Sequence, residues 1–412
     1  MHILIANNIY PPIMAGGAEL IVAWLSEGLA ARGHRVTVVS TCGPDMQPYP
    51  DEVRNGVTVV RFFPRNVYWN FAREAQKRHR RVVWHLRDAW NRDAGRRFHA
   101  VLDQAPPDVV HTHLIDGFSA TIWRRAWQAG IPIVHTAHDY HLLCPRAFLL
   151  TRDWRICRQP ALACRAYRAW HLRTCGDVDH FVSPSRFLLE LHVRAGLAVR
   201  RTSVIFNGIP LPDNAETVRR ERERRRGRRR VLMLTRLTVE KGVRVAVRAV
   251  ATLPRTCDFE LVIAGRGPLE TEVRQAAEND PRIHFVGYVT GEAKAALLAS
   301  ADYLLIPSLW YENAPVSVIE AAAYGLGVIC SRIGGLPELV REGRTGLLFE
   351  PGDAGDLAAI LQRLLDGQVV LGDLAAASRA MAQEHTVDRM VDAYLARYAE
   401  LAMPVSEMNR AA

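Results

Sequence analysis

The sequence predicts an α/β fold made of two Rossmann-like, doubly wound parallel-sheet domains that face each other across a cleft. Three observations point there. Short apolar strand-like runs alternate with helical patterns almost throughout. The series restarts after an arginine-rich interruption at 219–230, which follows Pro210 and Pro212 and has the composition of an exposed linker. The chain has 412 residues, 49% of them hydrophobic, which is more than one core normally serves and enough to fill two.

Taken in order, the first domain is expected over 1–207, with buried strands at 2–6, 36–40, 57–62, 109–112, 133–136 and 180–182. A basic linker follows at 208–230. The second domain spans 231–383, with strands at 231–234, 260–264, 283–286, 303–306 and 327–331. The tail, 384–412, carries Met390, Tyr394, Tyr398 and Leu401 at helical spacing. Doubly wound sheets bind ligands outside the carboxyl ends of their strands, so the chemistry is expected there.

The formal net charge is +10, and much of the excess sits in 219–230 and 73–97. In the second stretch Val83, Leu86, Trp90, Ala94, Phe98 and Val101 form one helical stripe. A basic helix over 73–102, packed on a core with a solvated outer face, is the favoured reading, and an amphipathic helix lying on anionic lipid is the competing one. Neither basic run carries a nucleic-acid-binding motif, so no nucleic-acid partner is expected. No apolar run reaches the roughly 18 residues of a membrane span. The start, Met1-His2-Ile3-Leu4, lacks the basic opening of a signal peptide, so a cytoplasmic place is expected, with the inner membrane face left open. Seven cysteines, an odd number, argue against a complete disulfide framework. Cys144, Cys157, Cys164 and Cys175 cluster without a C-x-x-C pair, so packed thiols are expected over a structural zinc.

The most informative segment runs from Glu312 through Asn313, Ala314, Pro315 and Val316 to Glu320. Proline tolerates a first helical turn, so a helix should begin within a residue or two of Pro315, with Glu312 at its mouth and Glu320 in its second turn. Helix-opening N–H groups suit a phosphate, and two glutamates beside them suit hydroxyls. A sugar nucleotide carries both. Similar signals recur at other strand ends: Gly16 and Gly17 after the first strand, Arg236 with Lys241 and Gly242 after 231–234, Gly265 and Gly267 after 260–264, and Gly334-Gly335 after 327–331. Arginine and lysine five positions apart could clamp a diphosphate, and the glycines could admit a base or ribose. His138, with Asp139 and Tyr140, makes a polar end to the strand at 133–136.

This ordered set resembles the retaining, family-4 glycosyltransferases of the GT-B fold, the glycosyl transferases group 1. The pieces are Gly16-Gly17-Ala18-Glu19, His138-Asp139-Tyr140 with Cys144-Pro145-Arg146, Asn207-Gly208-Ile209, Arg236 with Lys241-Gly242, Gly265 with Gly267-Pro268, Glu312 through Glu320, and Gly334-Gly335. One departure is Gly327, where the family often has proline. The resemblance implies a nucleotide-diphospho-sugar as co-substrate, no other cofactor and no metal. It assigns the diphosphate to Arg236 and Lys241, the ribose to Glu320, and the transferred sugar to Glu312, with His138 reaching it from the other domain. It also implies that the tail crosses back onto the first domain. The acceptor is a hydroxyl, on a glycan, a lipid-linked glycan or a small molecule, read by first-domain loops such as 43–55 and 144–175. On this reading Lys241→Ala abolishes transfer and leaves the fold intact. A nucleotide-sugar epimerase of the same fold and a non-enzymatic basic protein binding nucleic acid or membrane remain as alternatives.

Overall fold

The computed structural model describes residues 1–14, 16–46, 50–72, 76–212, 229–369 and 371–402. Most of the expected linker lies outside the described residues, as do 47–49 of the expected acceptor loop and 73–75 and 403–412 of two expected helices. The chain divides into two compact units. The first holds Met1–Leu149, Arg158–Gly208 and the segment from Val387 onward; the second holds Leu150–Cys157 and Ile209–Thr386.

The first unit is built on β1 (His2–Ala6), β2 (Arg35–Thr41), β3 (Glu52–Arg54), β4 (Val57–Phe62), β5 (Val109–Thr112), β6 (Ile133–Thr136), β7 (His180–Ser183) and β8 (Arg201–Val204). Their order in the sheet is β3-β4-β2-β1-β5-β6-β7-β8. All neighbours are parallel except β3, which pairs antiparallel with β4 at the edge. The sequence pattern misses β3 and β8. Their exposed and half-buried residues lack an apolar run, as expected of edge strands covered on one side at most.

The expected basic helix over 73–102 is two helices, Arg78–Asp88 and Arg92–Gln104. Asn91 separates them, because its side-chain oxygen accepts from the N–H groups of Asp93 and Ala94 and starts the second helix. The stripe divides with them. Ala94 and Phe98 are buried, whereas Val83 and Leu86 are exposed. In the tail helix, Val387–Ala402, Met390, Tyr394 and Tyr398 are buried. The Tyr398 hydroxyl shares a 2.6 Å hydrogen bond with His111 Nδ1 on β5, and Tyr394 shares one of 3.0 Å with Thr136 on β6.

The second unit carries β9 (Arg229–Leu234), β10 (Phe259–Ala264), β11 (Ile283–Gly287), β12 (Tyr303–Ile306), β13 (Gly327–Ser331) and β14 (Gly346–Phe349), in the order β11-β10-β9-β12-β13-β14 and all parallel. Alternate residues face opposite sides, and both sides are covered. Val231, Met233, Leu261 and Ile263 pack with Val245, Ala249, Leu357 and Leu361 from helices Val243–Thr252 and Ala354–Leu365. Leu232, Val262 and Leu304 pack on the other side with Leu298, Ala321 and Leu326. Strand order reverses between β9 and β12, and the crevice beyond their carboxyl ends is the place such a sheet offers a ligand.

Candidate functional site

Lys241 and Glu312 meet at that switch point. The segment after β9 runs through a short turn, Val239–Lys241, into helix Val243–Thr252; the segment after β12 runs through Ser308 and Trp310 to helix Val316–Ala323. Pro315 is the N-cap residue of the latter helix, in extended backbone geometry, and Val316 opens it. Lys241 Nζ lies 2.7 Å from Glu312 Oε1, and the same oxygen accepts from Ser308 Oγ at 2.5 Å and Trp310 Nε1 at 2.9 Å. The ammonium also sits over the Trp310 ring, 4.8 Å from its centre. Burial alone would push the Glu312 carboxyl up; the Lys241 charge and these three donors outweigh it and hold the group below its ordinary value.

Glycines clamp this arrangement. Gly242 has φ +72°, and a Cβ there would fall 1.7 Å from the Pro307 carbonyl oxygen. Gly334 has φ +63°, and its Cβ would fall 2.2 Å from the Glu312 carbonyl oxygen, which also accepts from Gly335 N at 2.7 Å. Gly265 and Gly267 are glycines for a similar reason. A Cβ on Gly265 would meet Thr235 O at 1.8 Å, and one on Gly267 would meet Leu237 O at 2.6 Å. The close approach there is the chain's own 235–237 loop, where the sequence suggested a ligand.

Arg236 projects half-exposed beside this loop, with Nη2 3.9 Å from Glu240 Oε1. Glu240 itself is buried and accepts from Thr238 Oγ1 at 2.7 Å. Glu320 is not left to a ligand alone, because Lys294 on helix Gly291–Ser300 pairs with it. Asn313 and Ala314 lie in the loop between Glu312 and the helix. Sequence reasoning missed Lys294, Ser308 and Trp310. For the last two, an S-x-W-x-E pattern just after a strand was the available signal.

The remaining candidates lie in the first unit. Gly17 begins helix Gly17–Ala31, and Gly16 N donates to Glu19 Oε2 at 2.8 Å, closing the turn from the helix side. His138 follows β6, partly buried, and its Nε2 lies 2.8 Å from Nδ1 of the buried His113. The two rings stack, and His113 lies tilted against His111, with ring centres 4.1 Å apart. Burial lowers His138 to about 4 and His135 to about 3. A small cavity lined by His113, Ala137, His138, Asp139, His141 and Leu142 opens here. Burial, reinforced by Asp116, pushes the Asp139 carboxyl up to about 7, although its Oδ1 accepts from His141 N at 2.8 Å.

No group of three or more His, Cys, Asp or Glu among the described residues is placed to hold a metal ion. The chain has one D-x-D triplet, Asp177-Val178-Asp179. Its carboxylates are engaged within the first unit: Asp177 pairs with Arg124 at 3.1 Å and Asp179 accepts from Ile133 N at 2.8 Å.

Two family models match the chain. "Glycosyl transferase 4-like domain" covers residues 16–208 and "Glycosyl transferases group 1" covers 228–367. The glycogen synthase of Mycobacterium tuberculosis is 30% identical over 404 residues, 92% of this chain and 89% of that one. The amylovoran biosynthesis glycosyltransferase AmsK of Erwinia amylovora is 36% identical over 184 residues, 41% of this chain and 45% of that one. Among solved structures, the sucrose-phosphate synthase of Thermosynechococcus elongatus superposes with a TM-score of 0.74 at 21% identity, covering 97% of this chain and 98% of that one. HepE of Anabaena in complex with UDP superposes at 0.71 and 18% identity, covering 97% and 100%.

Proposed function

The chain belongs to the glycosyl transferases group 1 family of GT-B glycosyltransferases, and from that premise we propose that it moves a hexose-type sugar from a nucleotide-diphospho-sugar to a hydroxyl acceptor, with retention of anomeric configuration and without a metal ion. The observation that carries this reading is the pair of partly buried Lys241 and buried Glu312 at the switch point of the second sheet.

An ammonium has three donors, and one of Lys241's is taken by Glu312, leaving two for phosphate oxygens. Arg236 adds a fork of donors from the solvent side. The N–H groups of Val316 and Ser317 open a helix, and its dipole adds a fractional positive charge. When the bond from the anomeric carbon to the diphosphate oxygen breaks, negative charge grows on the leaving group, and these fixed groups stabilise it without reorganising. The acceptor oxygen forms the new bond to the same carbon on the same face, and its proton goes to the departing phosphate oxygen.

Glu312 is an orienting group in this scheme. Its Oε1 takes all three bonds from Lys241, Ser308 and Trp310, so Oε2 is the oxygen that accepts from a sugar hydroxyl. A carboxylate held below its ordinary value is a poor proton donor at neutral pH. Glu320, with Lys294, takes the ribose hydroxyls, and the loop at Asn313, Ala314, Pro315 and Val316 lines the phosphates. The complexes of HepE with UDP and with UDP-glucose support a nucleotide-sugar donor.

The test is product analysis with a panel of sugar nucleotides, with and without candidate hydroxyl acceptors. Acceptor-dependent release of nucleoside diphosphate, undiminished by EDTA, and an unchanged anomeric configuration by NMR are expected. An altered sugar nucleotide formed from donor alone would point to an epimerase, and an inverted product or a strict metal requirement would overturn the corresponding part of the proposal.

A further inference from the structure

In the first unit, two neighbouring helices turn apolar side chains away from the core. On Arg78–Asp88, Val82, Val83 and Leu86 are 54%, 42% and 71% exposed, while Trp84 and Asp88 face inward and are buried. On Leu162–Thr174, Leu162 and Trp170 are 78% and 44% exposed, Ala163, Ala166 and Ala169 share their face, and His171 and Leu172 are buried. The helices adjoin. Trp170 Nε1 donates to the Ala89 carbonyl at 3.0 Å, and the Trp90 and Trp170 rings meet edge to face at 6.0 Å. The His85 and Tyr167 rings also meet, at 6.3 Å, so the two helices that carry the exposed apolar residues pack against each other.

The rim of that surface is basic. Between Lys77 and Arg92 the one acidic residue is the buried Asp88, and the second helix has none. Arg80, Arg87, Arg165 and Arg173 are exposed, and none of them takes part in a salt bridge among the described residues. Elsewhere in this unit arginines do find carboxylates, as Arg96 and Arg97 do with Asp93. Outward valine and leucine, an interfacial tryptophan and uncompensated arginines are what a helix lying in a lipid headgroup layer requires.

We propose that the surface formed by helices Arg78–Asp88 and Leu162–Thr174 docks the protein on an anionic lipid bilayer, with Val82, Val83, Leu86, Leu162 and Trp170 entering the headgroup region and the arginines contacting lipid phosphates. The proposal is independent of the donor reading, since all its residues lie in the first unit. It assigns Val83 and Leu86, the exposed part of the expected stripe, to a contact with lipid, while Ala94 and Phe98 pack on the core.

The experiment is vesicle flotation of the full chain with phosphatidylcholine vesicles, with and without phosphatidylglycerol. Binding is expected with phosphatidylglycerol and not without it. Leu86→Asp with Leu162→Asp should lower the bound fraction at least roughly tenfold at unchanged melting temperature, because both side chains are exposed. Arg87→Glu with Arg165→Glu should weaken binding to a similar degree and reduce its salt dependence. No binding to phosphatidylglycerol vesicles overturns the proposal. So does binding that ignores the aspartate variant, which would mean charge attraction alone, or binding of single-stranded RNA with the same arginine dependence and no vesicle binding.

Discussion

The Lys294 ammonium lies 2.6 Å from both carboxylate oxygens of Glu320, joining helices Gly291–Ser300 and Val316–Ala323. A carboxylate offers about four lone-pair sites, so Glu320 can hold this lysine and still accept two hydroxyls. The lysine also cancels a negative charge that a diphosphate would otherwise meet. Lys294→Met should therefore weaken nucleoside diphosphate binding roughly tenfold, about 1.4 kcal/mol, with little change in kcat. Lys294→Arg should recover most of the loss. Calorimetry beside steady-state kinetics checks this, and equal affinity in the methionine variant would remove Lys294 from the site.

Removing Lys241 should cost stability, because it pairs with a buried carboxylate, where the sequence alone implied an intact fold. Lys241→Ala would leave Glu312 buried without its counter-charge, at a cost of about 3–5 kcal/mol. The double variant Lys241→Met with Glu312→Gln should recover most of that stability and still fail in transfer. Urea unfolding of both variants separates the structural part of the pair from the functional part.

Gly242→Ala and Gly334→Ala should each destabilise by more than about 2 kcal/mol, since a Cβ would strike a carbonyl oxygen and φ is positive. Gly343→Ala is the control. Its φ is +69° with nothing within 4 Å of the added Cβ, so only the backbone term of about 1–2 kcal/mol applies. Equal midpoints for all three would mean that the loops around Glu312 are not clamped as described.

Acid should destabilise the first unit. Burial lowers His135 to about 3 and His138, His171 and His192 to about 4, and holds His111 and His113 well below the ordinary value. An unfolded chain binds protons on these rings near pH 6.5 while the folded chain does not, so their stabilisation is complete above pH 6.5 and lost as pH falls towards 4. Burial raises the Asp139 carboxyl to about 7, Asp88 well up and Asp177 up, which acts in the opposite direction, but these carboxyls are outnumbered by the histidines, since burial also lowers His2, His34 and His180. Both ring nitrogens of His171 are buried without hydrogen-bond partners among the described residues. His171→Phe should therefore flatten the fall in unfolding free energy between pH 6.5 and 4, by an amount on the order of 3 kcal/mol.

Fold class was legible because parallel strands covered on both faces read as apolar runs, as in β1 and β12. Edge strands β3 and β8 carry no such run; edge strand β14, Gly346–Phe349, carries one that the expected strands do not include. The Glu312–Glu320 segment was legible because proline, two carboxylates and a preceding strand fall within one window. Its partners were not, since Lys241 is 71 residues away from Glu312 and Lys294 is 26 from Glu320, and only folding brings them together. The glycines at 265 and 267 were legible as close approaches, but what approaches them is their own chain. The split of the 73–102 stripe was hidden because Asn91 interrupts a pattern that apolar spacing alone continues through.

The central claim is that the crevice beyond β9 and β12 holds the diphosphate of a sugar nucleotide through Lys241 and Glu312. Its most direct test is calorimetric titration of nucleoside diphosphates and their glucose conjugates into the wild-type protein and the refolded Lys241→Met, Glu312→Gln variant. The account predicts saturable binding of at least one such ligand to the wild type and its loss in the folded variant. Equal binding by both proteins, or none by the wild type across the panel, would contradict it.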